Sequence, residues 1–226
     1  MLQHVYERAS QARYLSKLII ATDDERIHKA ARAFGAQVSM TRADHLSGTD
    51  RVAEAASADN ASVIVNIQGD EPLIDPSAID AAALALLDDP DVPMSTLMKL
   101  IEDPREINDP NVVKVVTNFA GDAIYFSRCP IPYEREGPFA RQGGGVHYKH
   151  LGLYVYRRDF LLAYSGLPVG PLERMERLEQ LRAIENGYRV RVVETEHESL
   201  GVDTPQDLER VRTLLATTRD ATEHRP

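Results

Sequence analysis

The chain has 226 residues, a formal net charge of -9 and a single cysteine, Cys129. The negative charge argues against a nucleic-acid-binding protein, because a polyanion would be repelled over most of the surface. No segment approaches the ~20 apolar residues of a membrane span, and the lone cysteine suits a reducing compartment, so we expect a cytoplasmic protein that does not act at a membrane.

Strand and helix patterns alternate in residues 1–90, which is typical of parallel βαβ units. Helices are predicted over residues 2–12, between Asp24 and Gly35, over 51–58 and over 76–87. Strands are predicted over residues 17–21 and 37–40 and from residue 63 onward. This part of the chain therefore predicts an α/β protein with a parallel sheet.

Strands dominate residues 94–157, where a hairpin is predicted from strands 112–117 and 123–127. Further strands are predicted over 94–100, 147–157 and 188–194, helices over 171–185 and from Thr204-Pro205, and a long loop over 130–146. We expect a Rossmann-like, mixed but mostly parallel sheet flanked by helices. It forms a single domain over residues 1–215, with a β-rich part at about 94–157 and a disordered tail over 216–226.

The most informative segment is residues 63–72, a β-branched run that ends in Gly69-Asp70-Glu71-Pro72. In open α/β sheets, ligands bind beyond the carboxyl ends of the strands, so Asp70 and Glu71 occupy a position typical of catalytic groups. Taken alone, the segment is described equally well as a polar turn that closes a core strand.

A second polar segment, residues 41–51, follows the strand predicted over 37–40. Ser47, Gly48 and Thr49 offer hydroxyls and backbone N–H groups to the base or phosphate of a nucleotide, and Arg51 adds a positively charged guanidinium group. The alternative, favoured when the segment is taken alone, is that Ser47 or Thr49 caps the next helix and binds nothing.

Alternation in residues 148–156 predicts a strand with two different faces. One face carries the apolar side chains Leu151, Leu153 and Val155. The other is polar and aromatic, which suits the wall of a polar ligand pocket, and it comprises Tyr148, His150, Gly152 and Tyr154. His147 and His150 point to opposite sides, which argues against a metal ion bound by both.

Asp203 or Thr204 precedes Pro205 at the start of the last predicted helix, an ordinary N-cap arrangement. The carboxylate of Asp203 could equally join Asp70 on a divalent ion, because Mg²⁺ takes one or two protein carboxylates together with water and phosphate oxygens. The helical spacing of residues 172–182 gives no reason to single out Glu179 or Gln180.

Considered together, these segments resemble the 3-deoxy-manno-octulosonate (Kdo) cytidylyltransferases, also called CMP-Kdo synthetases, along residues 1–215. The resemblance lies in residues 20–23, 40–45, 47–49, 65–72, 111–115, 125–128, 150–154, 171–173, 178–182 and 201–205. It implies a nucleotide-diphospho-sugar transferase fold whose β-rich part serves dimerisation and sugar binding, and a homodimer. It also implies the reaction of CTP with Kdo to give CMP-Kdo and pyrophosphate, for lipopolysaccharide biosynthesis.

The resemblance also implies roles for individual residues. Asp70 and Asp203 would be the catalytic ligands of Mg²⁺. The implied nucleotide-binding residues are Ser47, Gly48, Thr49, Arg51 and Gln68. The implied sugar-binding residues are Arg128, His150, Tyr154, Glu179 and Gln180, among which Arg128 suits the sugar carboxylate.

Members of this family begin with a strand and a basic loop that wraps the triphosphate, and Met1 corresponds to a residue just after that loop. We therefore expect an N-terminally truncated domain with weak CTP binding and poor stability. Two alternatives remain open at this point. The chain is a related acid-sugar cytidylyltransferase of the CMP-sialate or amino-Kdo type, or it is a remnant that only dimerises or binds a sugar.

Overall fold

A computed structural model describes residues 1–135, 147–198, 200–202 and 204–223, with side chains described as far as residue 215. The elements in chain order are α1 (Leu2–Ala9), β1 (Ile19–Thr22), α2 (Glu25–Ala33), β2 (Gln37–Met40), α3 (Gly48–Ser57), β3 (Val63–Asn66), α4 (Pro76–Asp88), β4 (Met94–Leu100), α5 (Pro104–Ile107), β5 (Lys114–Thr117), β6 (Ala123–Ser127), β7 (Tyr148–Arg157), α6 (Arg158–Tyr164), α7 (Pro171–Glu176), α8 (Leu181–Glu185), β8 (Val190–Glu194) and α9 (Pro205–Glu223).

Six strands of the described part of the chain form the main sheet, in the order β6-β5-β7-β4-β8, and β3 pairs with β7 outside this path. β7 is antiparallel to β3, β4 and β5, while β4 and β8 are parallel. Because β6 is antiparallel to β5, strands β3, β4, β5 and β8 share one direction, and β6 and β7 run the opposite way. The predicted mixed α/β sheet flanked by helices is confirmed.

β1 and β2 pair in parallel, from Ile19 opposite Gln37 to Thr22 opposite Met40, as the predicted βαβ unit requires. They form a separate two-stranded sheet, and within the described residues neither strand pairs with the six-stranded sheet. The sequence patterns predicted one sheet, so this separation is a difference between the prediction and the structure.

Among the residues whose side chains are described, two hydrophobic clusters form the core. One contains Leu97, Leu153 and Val155 together with apolar residues of α1 and α4. The other contains Phe126 and Tyr156 together with residues of α6 and α8. β7 lies between them, so its alternating side chains enter different clusters and the predicted apolar face of β7 is confirmed.

The prediction of a single helix over residues 171–185 is wrong, because the structure has two helices there. α7 ends at Glu176, and Arg177 follows in the left-handed conformation, with φ 53° and ψ 49°. α8 then begins at Leu181, so residues 178–180 form a turn. A left-handed residue redirects the chain, and this turn brings Glu179 and Gln180 towards β7.

The last helix, α9, runs to Glu223 and so includes residues 216–223 of the tail over 216–226 that was predicted to be disordered. No glycine or proline lies between Pro205 and Pro226, so this stretch contains no strong helix breaker. Residues 136–146 of the predicted long loop lie outside the described residues. Within the described part of the chain, no helix combines the length and the apolar character needed to cross a bilayer.

Candidate active site

A cavity of about 590 Å³ opens beside β7, and we call it the β7 cavity. His150 and Tyr154 reach it from the polar face of β7, and Glu179 and Gln180 reach it from the turn after Arg177. The structure thus brings together four of the five residues predicted to bind a sugar. Strand alternation positions the first two, and the left-handed Arg177 positions the others.

His150 is held as a neutral ring at the wall of this cavity. The hydroxyl of Thr96 lies 2.8 Å from the Leu153 carbonyl and 2.8 Å from His150 Nε2. The hydroxyl therefore donates to the carbonyl and accepts from Nε2–H, which leaves Nδ1 of the imidazole as an acceptor. Burial lowers the pKa of His150 to about 3, so the ring stays neutral at physiological pH.

Tyr154 and Gln180 form a second polar pair in the β7 cavity. The tyrosine hydroxyl donates to Oε1 of Gln180 at 3.1 Å, so the amide nitrogen of Gln180 remains available as a donor. Burial raises the pKa of Tyr154 well above its ordinary value, which keeps the phenol protonated. Together with His150, the pair presents neutral donors and acceptors of the kind that hold hydroxyl groups.

Glu179 connects this cavity to the polar segment 41–51. Its carboxylate accepts hydrogen bonds from Ser47 Oγ at 3.2 Å and from Thr49 Oγ1 at 3.1 Å, and its backbone carbonyl accepts one from the Tyr164 hydroxyl at 2.6 Å. Burial raises the pKa of Glu179, although the hydrogen bond from Thr49 and the charge of Arg182 oppose the shift. The hydroxyls of Ser47 and Thr49, which were predicted to bind a nucleotide, thus donate to Glu179 in this structure.

The raised pKa of Glu179 predicts a pH-dependent stability effect of Glu179→Gln. A carboxyl with a higher pKa in the folded chain holds its proton more tightly when folded, so stability falls as the pH rises above the unfolded value of ~4.3. The amide cannot ionise, so we expect the variant to unfold at a higher temperature than the wild type at pH 8, by a few degrees, and at the same temperature at pH 4. Thermal unfolding across this range measures the difference.

The control for this experiment is Glu196→Gln, which removes an exposed carboxylate. We expect the Glu196 variant to follow the wild-type pH profile. If Glu179→Gln unfolded at the same temperature as the wild type at every pH, ionisation of Glu179 would not destabilise the folded chain, and the prediction would be wrong.

The remaining predicted nucleotide-binding residues lie elsewhere. Gly48, Arg51 and Gln68 line a groove of about 660 Å³ between β1 and β3, which we call the β1–β3 groove. Arg51 donates to Thr41 Oγ1 at 2.7 Å and to Asp23 Oδ2 at 3.1 Å, which fixes its guanidinium at one end of the groove.

The cap predicted for α3 is confirmed for Ser47, whose hydroxyl accepts from the backbone N–H of Asp50 at 3.2 Å. Because the same hydroxyl also donates to Glu179, capping and the link to the β7 cavity are compatible. Thr49 lies in the first turn of the helix and is not the cap.

Asp70 lies at the junction between the groove and the cavity. Gln68 and Gly69 line the β1–β3 groove, whereas Glu71 lines the β7 cavity. The backbone carbonyl of Asp70 accepts from the N–H of Val202 at 3.0 Å. Val202 directly precedes Asp203, which lies outside the described residues.

A half-buried carboxylate at the end of β3 is a suitable oxygen ligand for Mg²⁺. Within the described part of the chain, no three histidine, cysteine or acidic side chains group as a metal site. A magnesium site of one or two carboxylates does not require such a group, because water and phosphate oxygens complete the coordination. Asp70 therefore fits this ion.

Arg128 is the one predicted sugar-binding residue that does not line the β7 cavity. Its Nε donates to the Glu176 carbonyl at 2.8 Å, and its Nη1 donates to the Pro110 carbonyl at 2.9 Å. Its backbone N–H also donates to the Glu176 carboxylate at 2.9 Å. Arg128 thus holds together two segments that border the cavity, because Asn111 and Arg177 follow Pro110 and Glu176.

Among the described residues, three cations line the β7 cavity, Lys149, Arg177 and Arg210, and none of them was predicted from the sequence. Lys149 lies between the carboxylates of Glu106 and Glu198, at 2.9 and 2.6 Å. Arg177 is exposed and lines the β7 cavity and also a neighbouring cavity of about 780 Å³. Neither residue stands out by spacing, since Lys149 belongs to a strand and Arg177 belongs to an uninterrupted helical pattern.

A family model described as cytidylyltransferase matches residues 1–196. The chain belongs to the cytidylyltransferase family. A relative from Solibacter usitatus (strain Ellin6076), named 3-deoxy-manno-octulosonate cytidylyltransferase, is 74% identical over 215 residues, covering 95% of this chain and 84% of the relative. A relative of the same name from Geobacter sulfurreducens (strain ATCC 51573 / DSM 12127 / PCA) is 55% identical, covering 93% of this chain and 87% of the relative.

A solved structure of CMP:2-keto-3-deoxy-manno-octonic acid synthetase complexed with CTP matches this cytidylyltransferase-family chain with a TM-score of 0.89. The two are 44% identical, and the match covers 96% of this chain and 88% of the other. The resemblance inferred from the sequence motifs is thus confirmed at the level of the family and the fold.

Proposed function

We propose that this chain transfers the cytidylyl group of CTP to Kdo, giving CMP-Kdo and pyrophosphate for lipopolysaccharide biosynthesis. The observation that carries the proposal is the convergence of His150, Tyr154, Glu179 and Gln180 on one cavity next to the Asp70 turn. Its lining suits a sugar rich in hydroxyl groups, and the relative that is 74% identical bears the name of this activity.

We infer that the β7 cavity binds the acid sugar. The neutral acceptor on His150 and the donors on Tyr154 and Gln180 would hold sugar hydroxyls. A carboxylate on the sugar needs a cation, and Arg177 lines the cavity at its exposed side. Arg128 would then act by holding the cavity walls rather than by binding the carboxylate.

The nucleotide would approach along the carboxyl ends of β1 and β3, past Gly48, Arg51 and Gln68. Asp70, together with Asp203, would hold Mg²⁺, and when bound this ion neutralises the phosphates and favours departure of pyrophosphate. The position of Asp70 between the groove and the cavity supports its contact with both substrates.

In this reaction, the anomeric hydroxyl oxygen of the sugar forms a bond to the α-phosphorus of CTP. The bond from that phosphorus to the bridging oxygen breaks, pyrophosphate leaves, and the proton of the sugar hydroxyl is released to the solvent. Both substrates are anions, so this chain's contribution is to align them and to offset their repulsion. We further propose that the active form is a cytoplasmic homodimer.

The deciding experiment measures pyrophosphate release from CTP with Kdo, amino-Kdo and sialate as acceptors. We expect release with Kdo to exceed release with the other two sugars by at least tenfold. Release with sialate or amino-Kdo but not with Kdo would establish the related transferase instead. Saturable Kdo binding without CTP binding or turnover would establish a remnant that only binds the sugar.

A further inference from the structure

Lys149 is a buried cation at the edge of the β7 cavity. Its side chain is 9% exposed, and its ammonium lies 2.9 Å from the carboxylate of Glu106 in α5 and 2.6 Å from that of Glu198. Burial by itself lowers the pKa of Lys149, but hydrogen bonds from the ammonium to Glu198 and Glu106 raise it by more. The lysine is therefore charged at neutral pH, and it holds both carboxylates by ion pairs.

The neighbouring strands place two further cations beside Lys149. Lys99 of β4 and Lys114 of β5 lie directly opposite it in the register, and all three lysines are buried. Like charges in directly opposite positions of an antiparallel sheet repel one another. Lys99 has a partner in Glu102 at 3.3 Å, and Lys114 donates to two backbone carbonyls. Carboxylates bound at the middle lysine reduce the repulsion along the row, which favours its ion pairs.

A segment between β8 and α9 borders the β7 cavity. We call it the β8–α9 segment, and its described residues are 195–198 and 200–202. At its start, the backbone N–H of Thr195 donates to the carbonyl of Met98 in β4 at 2.9 Å. At its end, the N–H of Val202 donates to the carbonyl of Asp70 at 3.0 Å. The segment thus runs from the main sheet to the Asp70 turn.

Side chains attach the middle of the β8–α9 segment. Glu198 binds Lys149, and Leu200, two positions further on, lines the β7 cavity. His197 also lies 3.3 Å from Asp75, but the histidine side chain is 50% exposed, so water screens this contact. Of these two attachments, the one to Lys149 is the less screened, because the lysine is buried.

We propose that Lys149 is a positioning residue, which holds the β8–α9 segment at the β7 cavity through Glu198 and so fixes one wall of that cavity. The role rests on the proposed function, because it assumes that the cavity binds the acid sugar. Lys149 acts through Glu198 and not by contact with the reacting atoms. Without this ion pair the ends of the segment stay attached, but Leu200 and Gly201 are no longer held at the wall.

The first test measures amide hydrogen exchange of Glu198→Ala in the absence of substrates. The variant loses the attachment to Lys149 and keeps the pair of Lys149 with Glu106. Local opening of the segment then breaks no ion pair, so we expect the amide of Val202 to exchange at least tenfold faster than in the wild type. The amide of Thr195, which is bonded to β4, should keep its wild-type rate.

The second test separates the two substrates in steady-state pyrophosphate release by Glu198→Ala. We expect the KM for Kdo to rise about tenfold, because a wall of the sugar cavity is no longer held. The KM for CTP should stay within twofold of the wild-type value. Loss of folded protein alone would lower the amount of active enzyme without raising the KM for one substrate.

Two further variants show whether the effect depends on Lys149. Glu196→Ala removes an exposed carboxylate from the same segment, and we expect wild-type exchange and wild-type KM values. Lys149→Met removes the ammonium and keeps a side chain of similar length. In the Lys149→Met background, Glu198→Ala should cause no further change, because mutations that remove one interaction are not additive.

A wild-type exchange rate at Val202 in Glu198→Ala would overturn the proposal, and so would an equal rise in the KM for Kdo and for CTP. A full effect of Glu198→Ala in the Lys149→Met background would overturn it as well, because Glu198 would then act through another residue. Absence of turnover with Kdo in the wild type would instead refute the proposed function. The exchange measurement uses no substrate, so it would still show whether Lys149 holds the segment.

Discussion

Asp70→Asn is expected to lower the rate of pyrophosphate release by about a thousandfold, equivalent to ~4 kcal/mol of transition-state stabilisation. The amide matches the carboxylate in size, and the hydrogen bond from Val202 goes to the backbone carbonyl, so the turn should keep its shape. The charge that suits a divalent cation is lost. Steady-state turnover with CTP and Kdo measures the effect, and calorimetric titration with Mg²⁺ should show weaker binding.

Asp88→Asn provides the matched control, because Asp88 is an exposed carboxylate at the end of α4. We expect the Asp88 variant to retain the wild-type rate and Mg²⁺ affinity. If Asp70→Asn kept its turnover and its affinity for the ion, the assignment of Asp70 to the metal would be wrong.

Arg182→Gln is expected to lower the free energy of unfolding by about 3 kcal/mol. Arg182 donates to both carboxylate oxygens of Glu173, at 2.9 and 2.6 Å, and these side chains are only 12% and 11% exposed. The paired Glu173 also raises the pKa of Arg182, so the cation is always present. Its replacement by a neutral side chain leaves the buried carboxylate of Glu173 without its counter-charge.

The loss of the Arg182 guanidinium should also change the β7 cavity. The guanidinium of Arg182 lies 5.1 Å from the centre of the Tyr164 ring, and the Tyr164 hydroxyl bonds the backbone carbonyl of Glu179. We therefore expect Arg182→Gln to weaken sugar binding as well as stability. Denaturant unfolding and titration with Kdo measure the two effects separately.

Arg105→Gln is the control for the buried pair. Arg105 makes the same two-pronged contact with Asp103, but its side chain is 91% exposed. Water screens an exposed pair, so we expect little change in stability. A loss for Arg182→Gln no greater than for Arg105→Gln would show that burial adds nothing to the Glu173–Arg182 pair.

Local patterns in the sequence predicted most of the strands and the composition of one wall of the site. Alternation in residues 148–156 identified the polar face of β7 and with it His150 and Tyr154, because the side chains of a strand alternate whatever the strand packs against. The Ser47 cap was predicted by its position before a helix and is confirmed. The β5–β6 hairpin is also confirmed, since its turn residues determine it locally.

Other features had no local signal. The helix break at Arg177 occurs at a residue type that favours helices, and α6 follows β7 without an intervening turn residue. Glu179 and Gln180 were recognised only by resemblance to a family, because their spacing is that of any amphipathic helix. The position of Arg128 likewise depends on carbonyls at Pro110 and Glu176, which are distant in sequence.

By itself, the sequence determined the family, the α/β class and the residues of the Asp70 turn. These follow from short motifs and from the order of helix and strand patterns along the chain. Only the tertiary structure decided that Ser47 and Thr49 bond Glu179 and that β1 and β3 face each other across an open groove. The physical reason is that such contacts join segments distant along the chain. Their geometry is set by how the helices and the two sheets pack, which no local pattern of residues encodes.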